Sequence, residues 1–397
     1  MNYRLIIYHI IYIASFFLVF SHSAAANDIA FTPSIDIRGE FDDNVTYSRI
    51  DKRDDALTRI KPAFTLDYAS ELLAMQSEVA VDILRYKDET RLDTEDQHYR
   101  FNAAYNIIER FSLSGNFFYI KDTTLDSELE ETGIVNFRDD RKRYNVGMGF
   151  SYSISQVSDV VGNYNHTDTK YDGLGNVDYD SDAISLSFNR RFNNQLDIFT
   201  IQPYYSWWDS DLSEMDNYGL SFGLLHPFSE TLSLTAFAGA RYTKTEYSLV
   251  NPAVDEKDSN WAGVADIKLQ KAGETFSAQV GYNHDLSYSS NGDPIERYRV
   301  HCNFNRRIKE RLSVSFSGSL IFSESEGKFN ETDSRYYNVT PSLNYKLTET
   351  HSLVLSYNYS QSYNKAATTN RRTDRNRVWL TLRFVFPRKW KEGVTSL

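Results

Sequence analysis

The sequence predicts an all-β chain: a transmembrane, antiparallel, up-and-down β-barrel of about eighteen strands (sixteen to eighteen), with short periplasmic turns and longer outside loops. Three observations predict it. Apolar and polar side chains alternate residue by residue along most of the chain, the period of a strand with a different medium on each face. Short and long connections alternate between those strands. Aromatic residues make up 15% of the chain, with 28 Tyr and 25 Phe, yet mean hydropathy is −0.51. Disordered chains are poor in aromatics.

The chain opens on a short basic start, Met1-Asn2-Tyr3-Arg4, then an apolar run from Leu5 to Phe20, then Ser21-His22-Ser23-Ala24-Ala25-Ala26. That order is expected of a secretory signal peptide over residues 1–26, cleaved after Ala24-x-Ala26, ahead of Asn27. The alternative, an N-terminal membrane helix, fits less well because the apolar run is short and ends in small residues. No Cys stands at that junction, which argues against a lipoprotein. Further along there is no run of the roughly 18 apolar residues that a membrane helix needs. The single Cys302 excludes an intramolecular disulfide framework. A net charge of −11 argues against a nucleic-acid partner.

The strands show clearly in several places. Tyr144, Val146, Met148, Phe150, Tyr152 and Ile154 alternate with Arg143, Asn145, Gly147, Gly149, Ser151 and Ser153. Leu312 to Phe322 alternates with Ser313, Ser315, Ser317 and Ser319, and Tyr298 to Phe304 with Arg297, Arg299, His301 and Asn303. Val378, Leu380, Leu382, Phe384 and Phe386 close the series. Short turns are expected near residues 69–71, 109–110, 155–157, 193–195, 228–230, 271–273, 308–310 and 348–350. Longer, mostly acidic connections are expected at 48–55, 87–96, 122–139, 168–182, 209–216, 248–259, 289–293, 323–333 and 365–374. Eight turns and nine loops join eighteen strands, and an even number puts both ends on one side. The barrel is thus expected over residues 27–387, with a polar tail over 388–397.

A sheet that spans lipid must close on itself to pair its backbone, and a barrel of this size encloses an aqueous channel. Apolar residues therefore point out and polar residues in. Aromatic girdles are expected at both boundaries: Tyr86, Tyr119, Tyr144, Trp207, Tyr218, Tyr242, Trp261, Tyr298, Tyr337 and Tyr363 on the loop side, and Phe111, Phe192, Phe228, Phe276 and Phe386 on the turn side. Neighbouring residues face opposite sides, so one of Trp207 and Trp208 must face the lumen; Trp208 is the expected luminal aromatic.

No catalytic constellation stands out, so the chain is read as a non-enzyme without a cofactor. His98, His166, His226, His284, His301 and His351 are scattered without ligand spacing. Asp168, Asp172, Asp178, Asp180 and Asp182 could hold a divalent cation, but read better as a solvated outside loop. The polar phase carries Arg38, Arg59, Lys61, Arg100, Arg143, Arg241, Lys268, Arg297, Arg299, Lys346, Arg377 and Arg383 against Asp36, Glu40, Asp67, Glu78, Asp82 and Asp266. Such a bore is about two to one basic although the chain is acidic. Two readings stay open: rings of Arg and Lys that favour anions, or ion pairs across the wall that brace the barrel.

The first strand reads Ile35-Asp36-Ile37-Arg38-Gly39-Glu40-Phe41-Asp42-Asp43-Asn44-Val45. An opening strand ending in an aromatic, Asp-Asp-Asn and an apolar residue resembles the β-barrel porin family encoded in exopolysaccharide loci, and the Tyr-rich hairpins are similar to that family over nearly all of residues 28–387. The resemblance implies an outer-membrane component of polysaccharide production or export. The basic lumen is also reminiscent of alginate-export porins, without a motif that carries residues over. The expected partners are outer-membrane lipid and lipopolysaccharide, the barrel-insertion machinery, the polysaccharide and its other export components. The competing readings are a general porin, or a structural or adhesive barrel with a plugged lumen.

Overall fold

The computed structural model describes residues 27–392 apart from 136–137, 174, 193–195, 251–252, 289, 291, 293, 326–332 and 367–368. The expected signal peptide, the turn at 193–195 and residues 393–397 of the expected tail lie outside the described residues.

Eighteen antiparallel strands follow one another in chain order: β1 (Asn27–Asp42), β2 (Asp55–Ala69), β3 (Leu73–Tyr86), β4 (Thr94–Ile108), β5 (Phe111–Thr123), β6 (Asp140–Ser155), β7 (Ser158–Tyr171), β8 (Tyr179–Arg191) and β9 (Ile198–Ser210). Then come β10 (Ser213–Pro227), β11 (Leu232–Val250), β12 (Ala253–Ala272), β13 (Phe276–Tyr288), β14 (Pro294–Lys309), β15 (Leu312–Ser325), β16 (Asp333–Lys346), β17 (His351–Ala366) and β18 (Thr369–Val385). Each pairs with its sequence neighbours, and β1 pairs with β18 from Ser34 opposite Val385 to Asp42 opposite Arg377. The sheet is a closed barrel.

The start of the expected polar tail is itself paired. Arg388–Glu392 forms a short β19 against Asn27–Phe31. Its register continues that of β18, with Phe31 opposite Arg388, and the break falls where Pro33 and Pro387 supply no N–H. The Phe386 amide still donates to the Pro33 carbonyl at 2.9 Å.

Three expected loops are shorter than the sequence pattern suggests. β9 ends at Ser210 and β10 begins at Ser213; β11 reaches Val250 and β12 starts at Ala253; β17 reaches Ala366 and β18 starts at Thr369. Past the apolar band both faces of a hairpin are wet, so alternation fades while the backbone ladder continues.

The faces fall as the alternation predicts. Ile37, Leu113, Phe150, Leu186, Phe222, Leu355 and Leu380 are exposed on the outside. Aromatic neighbours pair along the loop-side rim: Tyr99 with Tyr119 at 5.7 Å, Tyr205 with Tyr218 at 4.8 Å and Tyr242 with Trp261 at 5.1 Å between ring centroids. Phe111 with Phe150 and Phe199 with Phe222 do so on the turn side. Tyr86 corrects the expected girdle. It lies opposite Leu57 in the phase of Asp82, faces the lumen, and has the Arg138 guanidinium 5.9 Å from its ring.

β10 and β11 approach unusually closely at Gly239. A Cβ there would sit 2.1 Å from the Leu220 carbonyl oxygen and 2.7 Å from the Ser221 Cα, and backbone cannot swing aside as a side chain can. Gly239→Val is expected to destabilise the barrel by about 1–3 kcal/mol, read as a lower temperature for loss of the fast-migrating folded band in gel electrophoresis; an unchanged temperature would contradict the packing.

Candidate functional site: a lumen crossed by two inward-folded loops

The long connection at 124–139 does not stay outside. Its first turns form a helix, α1 (Thr124–Glu131). Thr123 precedes it in an extended conformation, Asp126 lies in its first turn, where negative charge suits the helix dipole, and Leu125, Glu128 and Leu129 bury one face. The helix ends on Gly133, whose φ of +73° is the left-handed C-terminal stop that Gly takes without strain. Gly133 donates to the Leu129 carbonyl at 3.1 Å, and a Cβ on it would come within 2.9 Å of the Tyr336 Cβ. Glycine is required there for both reasons.

α1 leaves from β5 and β6 and docks on β14, β15, β16 and β18, roughly half the circuit of the barrel away. Leu129 packs on Ile321 and Tyr336, with Tyr47 and Val135 around them. Polar tethers surround that contact. Ser323 donates to the Thr132 carbonyl at 2.5 Å, Ser334 to the Gly133 carbonyl at 3.0 Å, and Arg297 to the Glu131 carbonyl at 2.7 Å. Asp126 pairs with Arg375, and with Arg377 at 3.3 Å. Glu131 meets Arg143 at 2.7 Å and Arg141 at 3.1 Å; Glu128 meets Arg141 at 3.4 Å and accepts from the Tyr171 hydroxyl at 2.8 Å. The bore is strapped along a diameter.

These carboxyl groups are tuned by that setting. Burial acts against the charged form of Asp126, but Arg375 and Arg377 outweigh it and hold the carboxyl well below the ordinary range. The Asp126 side chain is 55% accessible from the bore although protein rings it. For Glu131 burial again opposes charge, and Arg143 and Arg141 win, keeping it low. Burial pushes Glu128 up despite Arg141. The depressed carboxyls of Asp126 and Glu131 stabilise the docked helix in full above their ordinary values. That contribution is lost as pH falls from there through the depressed ones, whereas the raised Glu128 acts in the opposite sense. Channel conductance is therefore expected to rise as pH drops below about 4.5, the ordinary value for Glu. A flat profile over the whole acidic range in which the barrel stays folded would contradict the latch.

A second hairpin also bends inward. The outer ends of β13 and β14 lean across the mouth, and Tyr288 stacks on Trp208 with ring centroids 4.8 Å apart and planes 3° from parallel. Leu286 and Tyr288 pack on a buried cluster of Tyr171, Tyr179, Trp208 and Met215. The loop beyond is pinned where Val177 donates to the Ser290 carbonyl at 2.8 Å and Ser213 to the Gly292 carbonyl at 3.1 Å. Trp208 thus faces the lumen as expected, but at 1% exposure it seats the hairpin and does not line open water.

All twelve basic residues expected in the bore lie on the luminal phase of their strands, and most meet acid. Arg38 pairs with Glu40 at 2.5 Å, Arg383 with Asp36 at 2.6 Å, Arg297 with Asp285 at 2.7 Å, and Arg59 with Asp82. Lys61 and Arg100 reach Asp82 and Glu78 at 3.9 Å. Arg143 and Arg377 hold α1, and Arg241 donates to Thr243 at 2.6 Å. Lys268, Arg299 and Lys346 form no ion pair among the described residues. Pairing has neutralised much of the basic excess, so bracing accounts for a good part of the pattern.

Two features were not foreseen. Trp379 stands in the polar phase of β18 and receives the Arg38 guanidinium 3.9 Å from its ring centre, in a luminal recess of about 400 Å³ that also includes Arg59, Lys61 and Arg383. Its position between Val378 and Leu380 was the available signal. The acidic run contains its own pairings: Asp168 accepts from Tyr144 at 2.6 Å and Asp182 from Tyr164 at 2.5 Å.

Neither a family model nor a curated protein matches the chain. Solved structures similar in fold include the ferric-catecholate import receptor Fiu of E. coli, at 10% identity and a TM-score of 0.43, covering 92% of this chain and 82% of the receptor. OccAB3 of Acinetobacter baumannii has 10% identity and a TM-score of 0.44 over 91% of this chain and 99% of its own. OccK2 of Pseudomonas aeruginosa, solved in complex with glucuronate, has 10% identity and a TM-score of 0.44 over 90% and 98%. A likeness of that degree is one of overall fold and carries no functional argument.

Proposed function

We propose that the protein is an outer-membrane channel for small hydrophilic solutes, with its axial path throttled by α1. The observation that carries this reading is the strap itself: a helix held across a polar bore by ion pairs at both ends narrows a water path without sealing it with a packed core. The outward apolar band with aromatic rims fits a lipid environment, and closure leaves no unpaired edge in most of the wall. The partners are then outer-membrane lipid, lipopolysaccharide at the loop side and the barrel-insertion machinery.

Lys268, Arg299 and Lys346, the luminal cations without an acidic partner among the described residues, bias such a bore toward anions. The resemblance of the first strand adds a cargo class, an anionic product of exopolysaccharide production or export. A polymer moving along the axis would first displace α1, so the strapped form suits small solutes. Purified protein in planar bilayers should give discrete conductance steps, with a reversal potential in a salt gradient favouring anions. No steps would defeat the channel reading, and cation preference would defeat the anionic one.

A further inference from the structure

We propose that the seam between β12 and β13 is a lateral portal, through which a single-chain amphiphile passes between the outer lipid boundary and a luminal cavity. The ladder between these two strands starts at Ala272 opposite Ser277 and stops at Ala265 opposite His284. β12 nevertheless continues outward to Ala253, paired with β11 alone, and β13 continues to Tyr288, paired with β14 alone. Among the described residues, no other pair of the eighteen long strands is zipped over so short a length. The β13–β14 hairpin packs inward on Trp208, while β12 stays laddered to β11 as far as Ala253.

The depth of the opening matters. Its floor is His284, which lies opposite Tyr298 of the outer aromatic rim and stacks on it at 4.2 Å; on β12, Trp261, 71% exposed, lies four residues further out than Ala265, the partner of His284. The seam therefore opens at the apolar–polar boundary, where unpaired backbone can be met by water or a polar headgroup, as it cannot deeper in hydrocarbon. Its β12 side above the last pair is Val264, Gly263 and Ala262; a Cβ on Gly263 would meet only His284, at 3.9 Å. A hydrogen-bonded His284–Glu296 pair at 2.5 Å marks the threshold with polar groups.

Behind the seam lies a luminal cavity of about 540 Å³, a size typical of small-ligand sites. Phe237, Val264, Leu286 and Tyr288 give it apolar walls, and its polar lining includes Arg241 and the carboxyl groups of Asp182, Asp266 and Asp285. Room for the rings is built into β10: a Cβ on Gly223 would fall 2.3 Å from the Phe237 ring, and one on Gly219 2.0 Å from the Tyr204 ring. A cavity with apolar walls on one side and polar and charged groups on the other, opening on a lipid boundary, matches a molecule with a slender apolar body and a polar end. The axial path plays no part in this route.

The test uses the full-length barrel in phosphatidylcholine vesicles with a diazirine-tagged dodecanoic acid as probe. Light should attach the probe to peptides carrying Phe237, Leu286 or Tyr288. Ala262 and Ser287 would face each other if the ladder continued, so Ala262→Cys with Ser287→Cys closes the seam on oxidation. Luminal labelling is expected to fall about tenfold on oxidation and to return on reduction. Gly263→Phe, which fills the aperture without a crosslink, should give the same loss. Ion conductance of the same vesicles should be unchanged in both variants, which separates failure of this route from failure of the channel. Luminal labelling that survives both closures, or labelling confined to the outer rim, would overturn the proposal.

Discussion

Removing residues 124–135 is expected to raise single-channel conductance by roughly threefold or more, because constriction area and charge dominate the resistance of a wide pore. The segment contributes no strand to the wall, so the barrel should remain closed and keep its resistance to unfolding in detergent. Its loss also exposes Arg375, Arg377, Arg141 and Arg143 to the bore without their carboxylates from α1. Anion preference should strengthen along with conductance. An unchanged conductance would mean that α1 does not lie across the conducting path.

Arg141→Met is the point substitution with the largest expected effect. Arg141 is 1% exposed and holds Asp122 at 2.8 Å as well as Glu128 and Glu131. Its removal leaves Glu128, itself 2% exposed, with the Tyr171 hydroxyl, no ion pair among the described residues, and only the more distant charge of Arg143. Breaking one side of a buried pair costs about 3–5 kcal/mol. A tethered helix can escape that cost by leaving its seat, whereas the strands cannot. The expected result is therefore fluctuating, higher conductance and protease access near α1, with the barrel still folded. Adding Glu128→Gln should restore much of the quiet state. Protease resistance and conductance equal to those of the unaltered protein would contradict the latch.

The wall was legible in the sequence because one physical rule governs it: every strand crosses between two media, so every strand repeats the same alternation. The luminal phase of the basic residues followed from the same rule. What the pattern could not carry was what each luminal charge meets, since Asp126 and Arg375 belong to segments far apart in the chain and are joined only through the bore. α1 left a faint trace, with Leu125 and Leu129 one helical turn apart in an otherwise acidic connection, ahead of Gly133. Eight residues are too few for helical periodicity to outweigh the charge around them. The inward lean of β13 and β14 left less, because Leu286 and Tyr288 continue the alternation of a wall strand while packing on Trp208 across the mouth.

The short β19 has a consequence for assembly. Every hairpin of the barrel joins near neighbours in sequence and can zip as soon as both its strands exist. The pairing of Asn27 to Phe31 with Arg388 to Glu392 joins nearly opposite ends of the described chain in one ladder, and together with the β1–β18 pairing it is the closure with the largest loop and the slow, nonlocal event. The ladder interruption at Pro33 and Pro387 divides that closure into two runs, nine residue pairs on β18 and five on β19. Truncation before Arg388 should leave the equilibrium barrel nearly intact and slow its sealing, so the last residues act on the rate of completion more than on the final state.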